Sequence, residues 1–165
     1  MQIEHLEFKP IDLAKHADVC VAFREDSYVC SFGSAELFHG ADGKGAERYV
    51  NWLCEKMKRF PGGCVHVWSG SEIIGQMEMG RFRSDASLGY VNLYYVTARW
   101  RGTGVASLLD EYATAFFKRL SLHSARLSVT PTNTRAVKFY LRHGWKDLGP
   151  RENAPEVHYM GKNYA

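Results

Sequence analysis

Apolar residues recur at helical spacing in several stretches of the chain. In residues 46–60, Tyr49, Val50, Leu53, Met57 and Phe60 line one face. Pro61-Gly62-Gly63 predicts where that helix stops. In residues 104–119, Val105, Leu108, Leu109, Tyr112 and Phe116 give the strongest helical pattern of the chain. Residues 12–26 predict a helix with Asp12 as N-cap and Ala17, Val21 and Phe23 on its apolar side, and Asn133–His143 a short one stopped at Gly144. Alternation takes over elsewhere. Residues 2–9 predict a first strand, Cys64–Trp68 and Glu72–Phe82 a hairpin around Ser69-Gly70-Ser71, and Leu88–Val96 a strand rich in Tyr and Val. Ala125–Thr130, Trp145–Leu148 and Val157–Met160 are short strands, while residues 27–45 and 83–87 read as loops. Strands dominate early and a strand–helix–strand–helix passage follows, the pattern of one mixed α/β domain over residues 1–165.

The composition changes this picture little. Of 165 residues, 45% are hydrophobic and 24% charged, an ordinary globular balance that excludes a disordered tail, a collagen-like chain and a coiled coil. No apolar run approaches the length of a membrane span, and the N-terminal residues do not resemble a signal peptide. Cys20, Cys30, Cys54 and Cys64 form no C-x-x-C pair. They read as free thiols in a reducing compartment, so a cytoplasmic protein is expected. The histidines show no metal-ligand spacing, and no metal is expected.

Charge is more informative by segment than in total. The formal net charge is +3, yet residues 99–146 hold nine Lys/Arg against two acids, leaving the remainder at −4. The basic segment suits a polyanion and the acidic remainder a cation. It lacks the interleaved aromatic and basic residues of a nucleic-acid binder, so no nucleic-acid or membrane partner is expected.

Within that segment, Arg101-Gly102-Thr103-Gly104-Val105-Ala106-Ser107 joins the Leu88–Val96 strand to the strongest helix. The glycines let backbone approach a bulky group, and the helix start aims unpaired N–H groups at it, a site suited to phosphate. A Walker loop is excluded because no Lys follows the glycines. A dinucleotide fingerprint fails as well: Ser107 holds the third glycine position, and residues 112–146 contain no Asp or Glu for a ribose.

The turn resembles the [Q/R]-x-x-G-x-[G/A] motif of the GNAT superfamily of N-acetyltransferases. It fits as Arg99-x-x-Gly102-x-Gly104 or Arg101-x-x-Gly104-x-Ala106, and Val96 and Trp100 favour the second. Asn133-Thr-Arg-Ala136-Val-Lys-Phe139-Tyr140-Leu-Arg-His-Gly144-Trp145 is similar to a second segment of the same family. The resemblance covers residues 88–148. It implies a mostly antiparallel central sheet of about six to seven strands flanked by about four helices. It further implies acetyl transfer from acetyl-CoA to a primary amine, on a small molecule or a peptide. A noncatalytic acyl-CoA sensor on the same fold is the alternative, and a homodimer is common among similar proteins.

Carried over residue by residue, the resemblance places the pyrophosphate on Arg101, Gly102, Thr103, Gly104, Val105, Ala106 and Ser107. The pantetheine would lie along Tyr94, Tyr95 and Val96, with a backbone N–H near Val96 facing the oxyanion. Asn133 either contacts the pantetheine or only caps the following helix. Tyr140 is the candidate for hydrogen-bonding or protonating the leaving sulfur. Family members place a basic Glu at positions that here are Ser128 or Tyr90, so the base is open. Glu78 is the candidate base, and Glu25, Asp26, Tyr28, Asn92 and Tyr94 are candidates for the acceptor pocket.

Overall fold

The computed structural model describes residue 3 and residues 5–164. Seven strands form a mostly antiparallel sheet: β1 (Leu6–Pro10), β2 (Cys64–Ser69), β3 (Glu72–Phe82), β4 (Asp85–Val96), β5 (Ser124–Val129), β6 (Lys146–Arg151) and β7 (Ala154–Asn163). Their order is β1-β2-β3-β4-β5-β7-β6. Among the described residues five helices accompany them: α1 (Leu13–Phe32), α2 (Glu36–His39), α3 (Gly45–Arg59), α4 (Val105–Arg119) and α5 (Thr134–Arg142). This is the expected mixed α/β class, with one helix more than expected. The predicted strand over residues 2–9 survives from Leu6 onward, and residues 2 and 4 of it lie outside the described residues.

The predicted loop over residues 27–45 is largely helical. α1 runs on to Phe32, where Gly33 adopts a left-handed φ of 82° and donates to the Val29 carbonyl. Its serines suggest a loop, but Tyr28 is partly buried and packs its ring against Phe38 of α2. Asp12 caps α1 as expected, accepting from the Lys15 amide at 3.2 Å. The last two strands are also longer than expected because they pair with each other, and β7 pairs along β5 from Ser124↔Asn163 to Val129↔His158.

The chain divides into two compact units, Met1–Glu78 with Leu93–Ala106, and Met79–Asn92 with Ser107–Ala165. In the first, Ile11, Cys20, Phe38, Tyr49, Leu53 and Cys64 form a buried cluster joining the apolar faces of α1 and α3 to β2. In the second, Leu109, Ala113, Phe116 and Phe117 of α4 are buried, as are Ala125, Leu127 and Val129 of β5. Fully burying a side chain such as Leu or Phe stabilises by roughly 1.5–3 kcal/mol. Gly89 of β4 lies so close to Phe117 that a Cβ there would sit 2.5 Å from the ring, so only glycine permits this approach. The parallel pair β4–β5 matches Gly89 with Ala125, Tyr90 with Arg126 and Val91 with Leu127.

Candidate active site

The glycine turn has the local structure its sequence predicts. After β4, Ala98–Trp100 make one 3-10 turn, and buried Trp100 donates through Nε1 to Glu72 at 3.2 Å. Gly102 (φ 76°) and Gly104 (φ 100°) adopt left-handed conformations, and α4 begins at Val105. A side-chain-bearing residue would be strained at either glycine. Backbone amides thereby collect at the N-terminus of a 15-residue helix, where the dipole favours an anion. Thr103 is turned inward, its hydroxyl donating to the Trp100 carbonyl at 2.5 Å.

Arg101 is held by partners within the chain. Its Nε donates to the Val96 carbonyl at 2.8 Å, and a terminal nitrogen donates to Asp26, also at 2.8 Å. Tyr95 donates its hydroxyl to the same Asp26 oxygen at 2.5 Å. A residue expected to bind phosphate and one expected to bind the acceptor are thus each other's partners. Burial opposes the Asp26 charge, but the bonds from Tyr95 and Arg101 outweigh it and hold the carboxyl below its ordinary value. Burial combined with Asp26 pushes the Tyr95 phenol up.

Glu78 differs more. It is fully buried on β3, ion-paired with Arg24 of α1, and accepts from Tyr49 of α3 at 2.5 Å and from Gln76 at 2.7 Å. Gln76 shares its strand face by the period of two, and its carbonyl oxygen meets His66 Nε2 at 2.8 Å. His66 Nε2 in turn lies 3.6 Å from the Cys20 sulfur. Burial opposes the Arg24 charge, but Glu78 and Tyr49 outweigh it and raise the guanidinium's pKa. Burial raises the Tyr49 phenol, with Glu78 adding to it, and lowers the His66 imidazole. Burial together with Glu78 pushes the Cys20 thiol up to about 12. The pattern reading missed this network, whose trace in the sequence is the alternation His66, Gln76, Glu78 inside otherwise apolar strands.

The remaining acceptor candidates are dispersed. Glu25 pairs with His39 at 3.1 Å. Tyr28 packs its ring on Phe32 and Phe38. Tyr94 and Asn92 are half-buried on β4. The Asn92 side-chain amide oxygen is buried and has no hydrogen-bond partner among the described residues.

In the second unit Asn133 caps α5, its side chain accepting from the Ala136 amide at 3.4 Å. Tyr140 is half-buried on α5, with its ring 6.2 Å from that of Trp145 and edge-on to it. Burial and then Asp110 push its phenol up. Asp110 accepts from the Trp145 indole at 3.1 Å and from Lys162 at 2.7 Å. His143, absent from the candidates, sits 3.0 Å through Nε2 from the Ser107 hydroxyl, while its Nδ1 lies 2.9 Å from the Phe139 carbonyl. Nδ1 must carry the proton to reach a carbonyl, so Nε2 accepts from Ser107.

Among the described residues no group of three or more His, Cys, Asp or Glu could hold a metal ion. No described helix is long and apolar enough to cross a membrane.

The acetyltransferase (GNAT) family model matches residues 16–145, and the chain belongs to that family. Solved structures share its fold. The PaiA N-acetyltransferase of Thermoplasma acidophilum, in complex with coenzyme A, is 15% identical with a TM-score of 0.77, over 97% of this chain and 99% of that one. A GNAT acetyltransferase of Staphylococcus aureus Mu50 is 11% identical with a TM-score of 0.78, over 98% and 100%. A chain of the NatC complex, bound to Gag peptide and CoA, is 16% identical with a TM-score of 0.69, over 98% and 99%. The search of curated proteins finds no match.

Proposed function

We propose that this chain is an N-acetyltransferase that moves an acetyl group from acetyl-CoA to a primary amine by direct attack on the thioester. The observation that carries this reading is the turn from β4 into α4. Two left-handed glycines there open a helix N-terminus, inside the segment matched to the acetyltransferase family. A relative of the same fold is solved with coenzyme A. Acetyl-CoA supplies an activated acetyl group, and the backbone amides of Gly102–Ser107 would hold its pyrophosphate.

The residues divide the remaining work. Tyr94–Val96 offer main-chain partners to the pantetheine, like an added strand. A backbone N–H near Val96 would stabilise the oxyanion. Asn133 serves α5 as a cap and need not touch the cofactor. Tyr140, whose phenol is held above its ordinary value, stays protonated and donates to the leaving sulfur. Arg101 acts by fixing the strand end and Asp26 rather than by meeting phosphate.

Glu78 acts as the buried counter-charge of Arg24 rather than as the proton acceptor, because its oxygens already accept from Arg24, Tyr49 and Gln76. The amine's proton then leaves through water. A noncatalytic acyl-CoA sensor remains the second reading, favoured by one observation: neither Tyr90 nor Ser128 supplies a carboxylate.

Calorimetry with acetyl-CoA tests the donor. Saturable binding that is lost in Gly104→Val is expected, and no binding to the wild-type chain would overturn the reading. Transfer is tested by following a carbon-13 acetyl label from the thioester to an amide product.

A further inference from the structure

Tyr90 and Ser128 occupy the positions where the family resemblance would put a basic Glu, and the structure joins them: their hydroxyls lie 2.6 Å apart. The register explains why. Arg126 and Ser128 share one face of β5 by the period of two. Tyr90 of β4 pairs with Arg126, and Tyr159 of β7 pairs with Ser128. Phe82 completes an aromatic floor, its ring 5.4 Å from those of both Tyr90 and Tyr159.

Two guanidiniums rest on that floor. Arg126 lies 5.2 Å from the Phe82 ring centre and 5.8 Å from that of Tyr159, and Arg151 lies 5.0 Å from the Tyr159 ring. Arg151 also donates to the Ser128 hydroxyl at 3.2 Å. Neither arginine has an ion-pair partner among the described residues. The carboxylate of Asp85, whose field reaches Arg126, accepts instead from the Ser87 amide and hydroxyl. The Arg151 Nε is buried with no hydrogen-bond partner. Leaving such a donor buried and unsatisfied is costly unless a ligand meets it.

We infer that Arg126 and Arg151 form a subsite for a carboxylate, and that the amine accepted by this chain also carries one, as an amino acid does. A guanidinium presents parallel N–H donors that match a planar carboxylate, and stacking on aromatic rings fixes their plane. Asn92 lies two residues beyond Tyr90 on the same face of β4. Its buried, unpartnered side-chain amide oxygen would accept from the amine end of the same molecule. The substrate class rests on the acetyl-transfer reading, whereas the carboxylate subsite stands on its own geometry.

Two measurements separate these. Glutarate is titrated into the labelled protein while the Arg151 Nε–H resonance is followed. A saturable shift that disappears in Arg126→Gln is expected. No shift would overturn the subsite, and inorganic phosphate shifting the signal at a lower concentration than glutarate would overturn its assignment to a carboxylate. Acetyl transfer is then compared between amino acids and their carboxamides. The acids should be preferred by about ten- to a hundredfold in kcat/KM, and Arg151→Gln should bring that ratio close to one while acetyl-CoA affinity holds. Equal rates for acids and amides in the wild type would overturn the carboxylate-bearing acceptor. Glutarate binding without transfer to any amine would leave the subsite standing and sink the acetyl-transfer reading.

Discussion

Arg101 and Asp26, 75 residues apart in the chain, meet at 2.8 Å and tie the end of β4 to α1. Both groups are partly exposed, so the pair contributes about 0.5–1 kcal/mol at most to stability. Its larger effect is on the position of the glycine turn. Arg101→Ala and Asp26→Ala should weaken acetyl-CoA binding to similar extents, with the salt dependence of binding unchanged. Titrations across ionic strengths check this. Loss of salt dependence in Arg101→Ala alone would place its charge on phosphate.

Tyr140→Phe removes the hydroxyl assigned to the leaving sulfur and keeps the ring beside Trp145. Turnover should fall roughly a hundredfold or more, the usual scale for a positioned acid. Acetyl-CoA affinity should stay within about twofold, since the proton is needed only as the bond to sulfur breaks. Steady-state kinetics alongside calorimetry resolve the two, and unchanged turnover would remove Tyr140 from the chemistry.

Glu78→Gln leaves Arg24 without a counter-charge, in surroundings where Glu78 itself is fully buried. Removing one partner of a buried pair costs about 3–5 kcal/mol, read from the urea midpoint. Adding Arg24→Met should recover much of that loss, because the stranded charge goes with it. Retained stability, together with a lost ascending limb in the pH–rate profile, would instead restore Glu78 as the proton acceptor.

His66 makes stability depend on pH. Burial lowers its folded-state pKa below the ordinary 6.5, so the unfolded chain takes up the proton more readily. Its contribution is complete above about pH 6.5 and is lost as pH falls from there through the lower folded value. His66→Gln should flatten that part of the stability curve. Urea unfolding at several pH values between about 4 and 8 tests it, and an unchanged slope in the variant would assign the effect elsewhere.

The glycine turn between β4 and α4 was legible because its structure is local. A strand end, two glycines and a helix start lie within a dozen residues: Gly102 and Gly104 took up the left-handed φ that glycine permits, and α4 begins at Val105 as the apolar spacing predicts. The same holds for Asp12 and Asn133, whose caps reach only three residues. The α1 extension was hidden because its serines speak for a loop, while the partners that keep it helical lie in α2. The Glu78 network and the Arg101–Asp26 pair were illegible for a related reason. Their Tyr49–Glu78, Arg24–Glu78 and Arg101–Asp26 links span 29, 54 and 75 positions, and only the packing of α1 and α3 brings these residues together. Periodicity could mark Gln76 and Glu78 as facing one way, but not that this way is inward.

The central claim is that this chain moves an acetyl group, and release of free coenzyme A thiol from acetyl-CoA across a panel of primary amines tests it most directly. Thiol release should require both acetyl-CoA and an amine, and should be fastest with amines that carry a carboxylate. Tight acetyl-CoA binding with no amine-dependent thiol release anywhere in the panel would contradict the claim and identify an acyl-CoA sensor.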